Sequence, residues 1–130
     1  MCVIVSGFSN NAEFRIEHNL NSIFMQNYTN YKVVIIDDSS PDNSIETYQK
    51  YLEFYRIDKK YVTLLTNDRR VTALPNIYFA TIYHCSSSSI VLTVDGDDEL
   101  INRNTFQLFN WGYQTMKLGV LYSNYIDFHN

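Results

Sequence analysis

Cysteine is nearly absent from this 130-residue chain, which has only Cys2 and Cys85. They form no C-x-x-C spacing, so neither a zinc cluster nor a disulfide framework is encoded. Two reduced, buried thiols and a reducing compartment are the expectation. Basic residues are also scarce, ten against fourteen acidic ones, giving a formal net charge of -4 and a pI near 5.2. A phosphate backbone is bound mainly through clustered Lys and Arg, so nucleic acid is excluded as a partner. No apolar run approaches the ~20 residues that span a bilayer, and the N-terminus enters a strand-like run with no signal peptide before it. The location expected from these absences is the cytoplasm or the cytosolic face of a membrane, with no membrane span in the chain.

What is present is apolar matter, 45% of the residues, enough to fill the core of one domain spanning residues 1–130. Short β-rich runs at 2–6, 32–36, 61–65, 90–94 and 120–122 read as strands, several of them ended by turn-forming residues. Between them lie segments of helical spacing. The first, 13–25, carries Phe14, Ile16, Leu20, Ile23 and Phe24. The second, capped by Asp42 or Asn43, carries Ile45, Tyr48, Tyr51 or Leu52, and Tyr55. The third, 71–84, holds Ala73, Ile77, Ala80 and Ile82, and accepts Pro75 only within its first turn. The fourth is 104–116. The alternation predicts an α/β fold, a three-layer sandwich with a mostly parallel central sheet. Ser86 to Ser89 read as a polar connection, and His18, His84 and His129 show no spacing that would bind a metal.

In an open parallel sheet, ligands bind beyond the carboxyl ends of the strands. Ser6, Gly7 and Phe8 follow the first strand, Asp37 and Asp38 the second, and Asp95, Gly96, Asp97 and Asp98 the fourth. Each acidic turn alone could be a solvated turn or a helix cap. Together they bring five carboxylates to one edge, where repulsion is destabilising unless cations or hydrogen-bond donors compensate. Hard divalent cations take such oxygen ligands together with substrate phosphates and water. Phe8 could stack on a base or pack under its own loop, and Arg69 and Arg70 could bind phosphate or remain solvated. A phosphorylatable receiver domain would place its acidic pair after the first strand, and here the pair follows the second.

The order of these motifs resembles the family 2 glycosyltransferases of the GT-A fold. Ser6-Gly7-Phe8-Ser9 is similar to the family's first turn, and Ser22-Ile23-Phe24-Met25-Gln26 to its Ser-Ile-x-x-Gln helix. The run from Ile35 to Ser44 looks like the family's Val-Asp-Asp-Gly-Ser-x-Asp-x-Ser signature, Ala73 to Asn76 like Ala-x-Asn, and Asp95 to Asp98 like its Asp-x-Asp-Asp (DXD) motif. Gly7, Ser9 and Pro75 depart from the family's usual residues, and the segment Asp68 to Arg70 lacks its usual glycine.

The resemblance implies a Rossmann-like nucleotide-binding half that takes a nucleoside diphosphate sugar, a UDP-sugar before others, together with Mn2+ or Mg2+. It assigns Ser6, Phe8, Asp38, Arg70 and Asp95 to the nucleotide sugar and Asp97 to the metal. Asp38 would meet the base beside Phe8, Asp95 the ribose, and Arg70 the base or diphosphate. The family's acceptor site and its general base lie in a downstream half, which is expected to be lacking here, so no catalytic base is assigned. The acceptor, whether glycan, protein or lipid, is unspecified. The competing expectation is a non-catalytic nucleotide-sugar-binding module, or a degenerate or truncated transferase domain.

Overall fold

The computed structural model describes residues 1–8, 12–124 and 126. Ser9 and His129, named above, lie outside the described residues. Strands β1 (Cys2–Gly7), β2 (Lys32–Asp37), β3 (Val62–Thr66) and β4 (Val91–Asp95) alternate with helices α1 (Ala12–Phe24), α2 (Ser44–Phe54), α3 (Ala73–Tyr83) and α4 (Thr105–Met116). The strands form one sheet in the order β3-β2-β1-β4, and each neighbouring pair is parallel. The expected mostly parallel sheet is thus wholly parallel among the described residues.

The period of two along a strand sorts its side chains between two cores. Val3, Val5, Val33, Ile35 and Val94 face one cluster with Ile16, Leu20 and Ile23 of α1, Tyr48 and Tyr51 of α2 and Phe106 of α4. Cys2, Ile4, Val34 and Ile36 face the other with Ala80 and Ile77 of α3. The sheet therefore lies between two helical layers, as the sandwich expectation required, and its central strands are apolar without interruption because both faces are covered.

Three expectations are corrected. Residues 120–122 form no strand; among the described residues β4 is an edge, and Leu121 packs back on α4, 3.2 Å from the Cβ position of Gly112. Phe14 is 73% exposed, because 100° per residue carries it to the face opposite Ile16, Leu20 and Ile23. Cys2 and Cys85 are joined in a disulfide, not reduced. Cys2 begins β1 and Cys85 lies just beyond α3, which packs on that strand, so residues 83 apart in sequence come to a Cα separation of 5.7 Å, within disulfide reach. The support that reduced thiols gave to a reducing compartment is withdrawn with them.

Pro75 is the third residue of α3, inside the first turn as its missing N–H demands. Asn43 occupies the N-cap position of α2 without a side-chain cap bond, while Asp42 accepts from the backbone N–H and hydroxyl of Ser44. No helix among the described residues is long and apolar enough to cross a membrane.

Candidate functional site at the strand ends

The sheet order reverses at β1: β2 and β3 lie on one side and β4 on the other. The crevice at this switch point is where ligands of open α/β sheets bind. Its floor is two glycines. A Cβ on Gly96 would sit 2.8 Å from the Cα of Gly7, and a Cβ on Gly7 would meet the Tyr48 hydroxyl at 3.3 Å. Gly7, which replaces a bulkier residue of the family pattern, therefore permits close approach of the β4 turn, and the Gly96 N–H donates to the Ser6 carbonyl at 3.0 Å. Above them opens a pocket of about 200 Å³.

All six residues singled out from sequence, Ser6, Phe8, Asp38, Arg70, Asp95 and Asp97, line this one pocket. Asp37, Ser40, Tyr48 and Thr72 complete much of its wall.

The β2 side is a finished hydrogen-bond network. Asp38 is 2% exposed, and its Oδ1 accepts from Asn67 Nδ2 at 2.7 Å and the Val71 N–H at 2.9 Å, while Oδ2 accepts from the Thr72 N–H at 2.8 Å. Asn67 also donates to Asn76 Oδ1, and Asn76 donates to Ser6 Oγ. The chain of bonds runs from β1 through α3 to β2. Burial raises the Asp38 pKa, but the bonds from Val71, Asn67, Thr72 and Asn76 outweigh it and hold the carboxyl below its ordinary value. They also hold Thr72 at φ 77°, ψ 170°, a region that strongly disfavours a β-branched residue. Asp37, 3% exposed, accepts from the Ser40 N–H and Thr66 hydroxyl through Oδ2. Its Oδ1 and the Ser40 Oγ are buried without a partner.

The β4 side is held from behind instead. Asn19 Nδ2 donates to the carbonyls of Asp95 at 2.9 Å and Asp98 at 2.7 Å. Ser22 Oγ accepts from the Leu100 N–H, and Gln26 bonds the Asn102 carbonyl and the Phe106 N–H. Asn19, Ser22 and Gln26 thus strap the segment after β4 to α1 through backbone atoms, leaving its carboxylates free to face the pocket and solvent. Burial, then Asp97, then Asp95 raise the pKa of Asp98. Among the described residues Asp97 has one ion pair, to Arg15 at 3.6 Å.

Two features beside these carboxylates were not read from sequence, the Tyr48 hydroxyl in the wall and the contact between the site residues Arg70 and Phe8. The Tyr48 hydroxyl is pushed well above its ordinary pKa by burial first, then by Asp37, Asp42 and Asp97, so it stays protonated in the pocket wall. The Arg70 guanidinium lies 3.9 Å over the Phe8 ring centroid, a cation–π contact that fixes both side chains at the mouth.

No group of three or more His, Cys, Asp or Glu side chains converges as a metal cage among the described residues. Asp95 and Asp97 supply hard oxygen donors at the pocket, a set that fits a divalent cation completing its shell from diphosphate oxygens and water.

A parallel α/β sheet with an acidic pocket at its switch point places the chain in the GT-A class of nucleotide-binding folds. The profile of Glycosyl transferase family 2 matches residues 3–126, and the chain belongs to that family. No curated protein matches it significantly. Among solved structures, the mannosyltransferase PcManGT from Pyrobaculum calidifontis, in complex with GDP-Man and Mn2+, is 21% identical with a TM-score of 0.68 over 81% of this chain and 30% of its own. Residues 1–349 of S. aureus TarS, in complex with UDP-GlcNAc, are 26% identical with a TM-score of 0.66 over 87% of this chain and 30% of their own. The chain thus spans about a third of the structures it resembles.

Proposed function

We propose that this chain is the donor-binding part of an inverting glycosyltransferase, taking a nucleoside diphosphate sugar with Mn2+ or Mg2+ for transfer to an acceptor hydroxyl. The observation that carries the reading is the convergence of Ser6, Phe8, Asp38, Arg70, Asp95 and Asp97 on one pocket at the switch point, in a chain of this family. A uridine donor is favoured because TarS, the higher of the two in sequence identity at 26% against 21%, is the one bound to UDP-GlcNAc.

In this reading the base enters on the β2 side, between Phe8 and the carboxylates. Asp38 Oδ2 accepts one protein bond, which leaves room for an N–H of the base, and the unpartnered Asp37 Oδ1 is a second acceptor. Arg70, held at the rim by Phe8, meets the base or the diphosphate. Asp95 receives the ribose hydroxyls, and Asp97 holds the cation. A bound divalent cation neutralises the negative charge that builds on the departing diphosphate. The acceptor oxygen attacks the anomeric carbon opposite that leaving group, which inverts the configuration. The acceptor site and the base that takes its proton belong to the family's downstream half.

Calorimetry with uridine diphosphate, with and without Mn2+, tests the reading. Binding should require the cation and be lost in Asp97→Ala; a parent chain that shows no cation-dependent nucleotide binding contradicts it.

A further inference from the structure

Arg15, in the first half of α1, has a partner that the proposed function needs for something else. Its guanidinium stands 3.6 Å from the Asp97 carboxylate, with the two side chains 52% and 59% exposed. The encounter is built into the fold. Asn19, one turn further along α1 and 1% exposed, grips the carbonyls on either side of Asp97, at Asp95 and Asp98. His18 lies 3.5 Å from Glu99 in the same segment. The buried clamp therefore sets where Asp97 stands relative to α1. Arg70, which lines the pocket, is engaged on Phe8.

We propose that Arg15 is a resident counter-ion for Asp97 that keeps the divalent-cation affinity low until a nucleoside diphosphate arrives, so that cation and donor load together. The inference rests on the donor-site reading above. A guanidinium and a metal ion repel each other and compete for the same carboxylate oxygens. A diphosphate changes both sides of that competition: it brings oxygen ligands to the cation and an anionic partner to the arginine. Each ligand then raises the affinity for the other, and the coupling is reciprocal.

The test measures free Mn2+ by electron paramagnetic resonance during titration of the parent chain, Arg15→Gln and Arg15→Lys, with and without uridine diphosphate. Arg15→Gln should bind Mn2+ alone roughly threefold more tightly than the parent, the scale of an exposed ion pair. Uridine diphosphate should raise its Mn2+ affinity by a smaller factor than it does the parent's. Arg15→Lys, which keeps the charge, should return towards the parent, whereas a purely structural arginine would leave all three alike. Equal or weaker Mn2+ binding by Arg15→Gln, with diphosphate-dependent binding intact, overturns the Arg15 proposal alone. No Mn2+ binding by any of the three, even with uridine diphosphate, overturns the donor-site reading and this inference with it.

Discussion

Asp37 and Asp38 close β2, and Asp95, Asp97 and Asp98 follow the same path at the end of β4, yet their surroundings differ sharply. Asp37 and Asp38 are 3% and 2% exposed, and Asp38 accepts three hydrogen bonds from the loop that enters α3. The Asp97 side chain is 59% exposed and meets one arginine, while Asp98 is held above its ordinary pKa by burial and its acidic neighbours. Two acidic turns on one sheet edge thus divide the labour. The first is structural scaffolding with one unpartnered acceptor, Asp37 Oδ1, which is proposed above to meet a base. The second is exposed charge, met at Asp97 by Arg15, where the cation is proposed to bind. What separates them is the supply of donors: the loop entering α3 points N–H groups at the β2 turn, whereas Asn19 of α1 grips the β4 turn by the carbonyls of Asp95 and Asp98 and Arg15 of the same helix meets the Asp97 carboxylate.

The contrast is broken most strongly by applying one substitution to each turn. Asp38→Ala strands two backbone N–H groups and the Asn67 amide and frees the strained Thr72, so urea denaturation should show a loss of about 3 kcal/mol. Asp97→Ala should change stability by less than about 0.5 kcal/mol, as an exposed position does, while losing the cation-dependent nucleotide binding. Gly96→Ala attacks the floor shared by both turns. With a Cβ 2.8 Å from the Gly7 Cα, backbone must shift, and the same denaturation assay should show a loss of about 2 kcal/mol.

Acid titration sharpens the contrast because the two turns respond with opposite sign. The Asp38 pKa is depressed on folding, so its contribution is present above the unfolded value and lost as pH falls through the folded one. Asp38→Asn should therefore flatten the acid limb of the stability curve. The Asp98 pKa is raised, so the folded state holds its proton more tightly, and ionisation weakens folding as pH rises from the unfolded to the folded value. Asp98→Asn should raise neutral-pH stability by less than about 0.5 kcal/mol after discounting for solvent screening, and the gain should vanish when Mn2+ and uridine diphosphate are bound.

Much of this was legible in the sequence. The β-branched run from Val33 to Ile36 ends at two aspartates, and a strand that ends in charge marks the edge where the charge collects. That regularity placed four strands, four helices and six residues on one pocket. Phe14 was a matter of local helical phase, but the other two failures share a cause, contacts made at long range in sequence. Nothing local pairs Cys2 with Cys85, and nothing local says that 120–122 lack a neighbouring strand. The α1 strap left a partial signal: at 100° per residue Asn19 falls beside the stripe of Ile16, Leu20 and Ile23, and a polar residue there calls for a buried partner, whereas Ser22 falls well outside that stripe and Gln26 lies beyond the helix. Tyr48 reads as an ordinary core aromatic until the fold brings its hydroxyl over Gly7.

Manganese scatters X-rays anomalously, so a crystal of the chain grown with Mn2+ and uridine diphosphate tests the division between the turns directly. The account predicts an anomalous peak at the Asp97 carboxylate, shared with the diphosphate, and the uracil ring against Asp37, Asp38 and Phe8. A nucleotide bound away from this pocket, or a metal peak on the Asp38 carboxylate with none at Asp97, would contradict it.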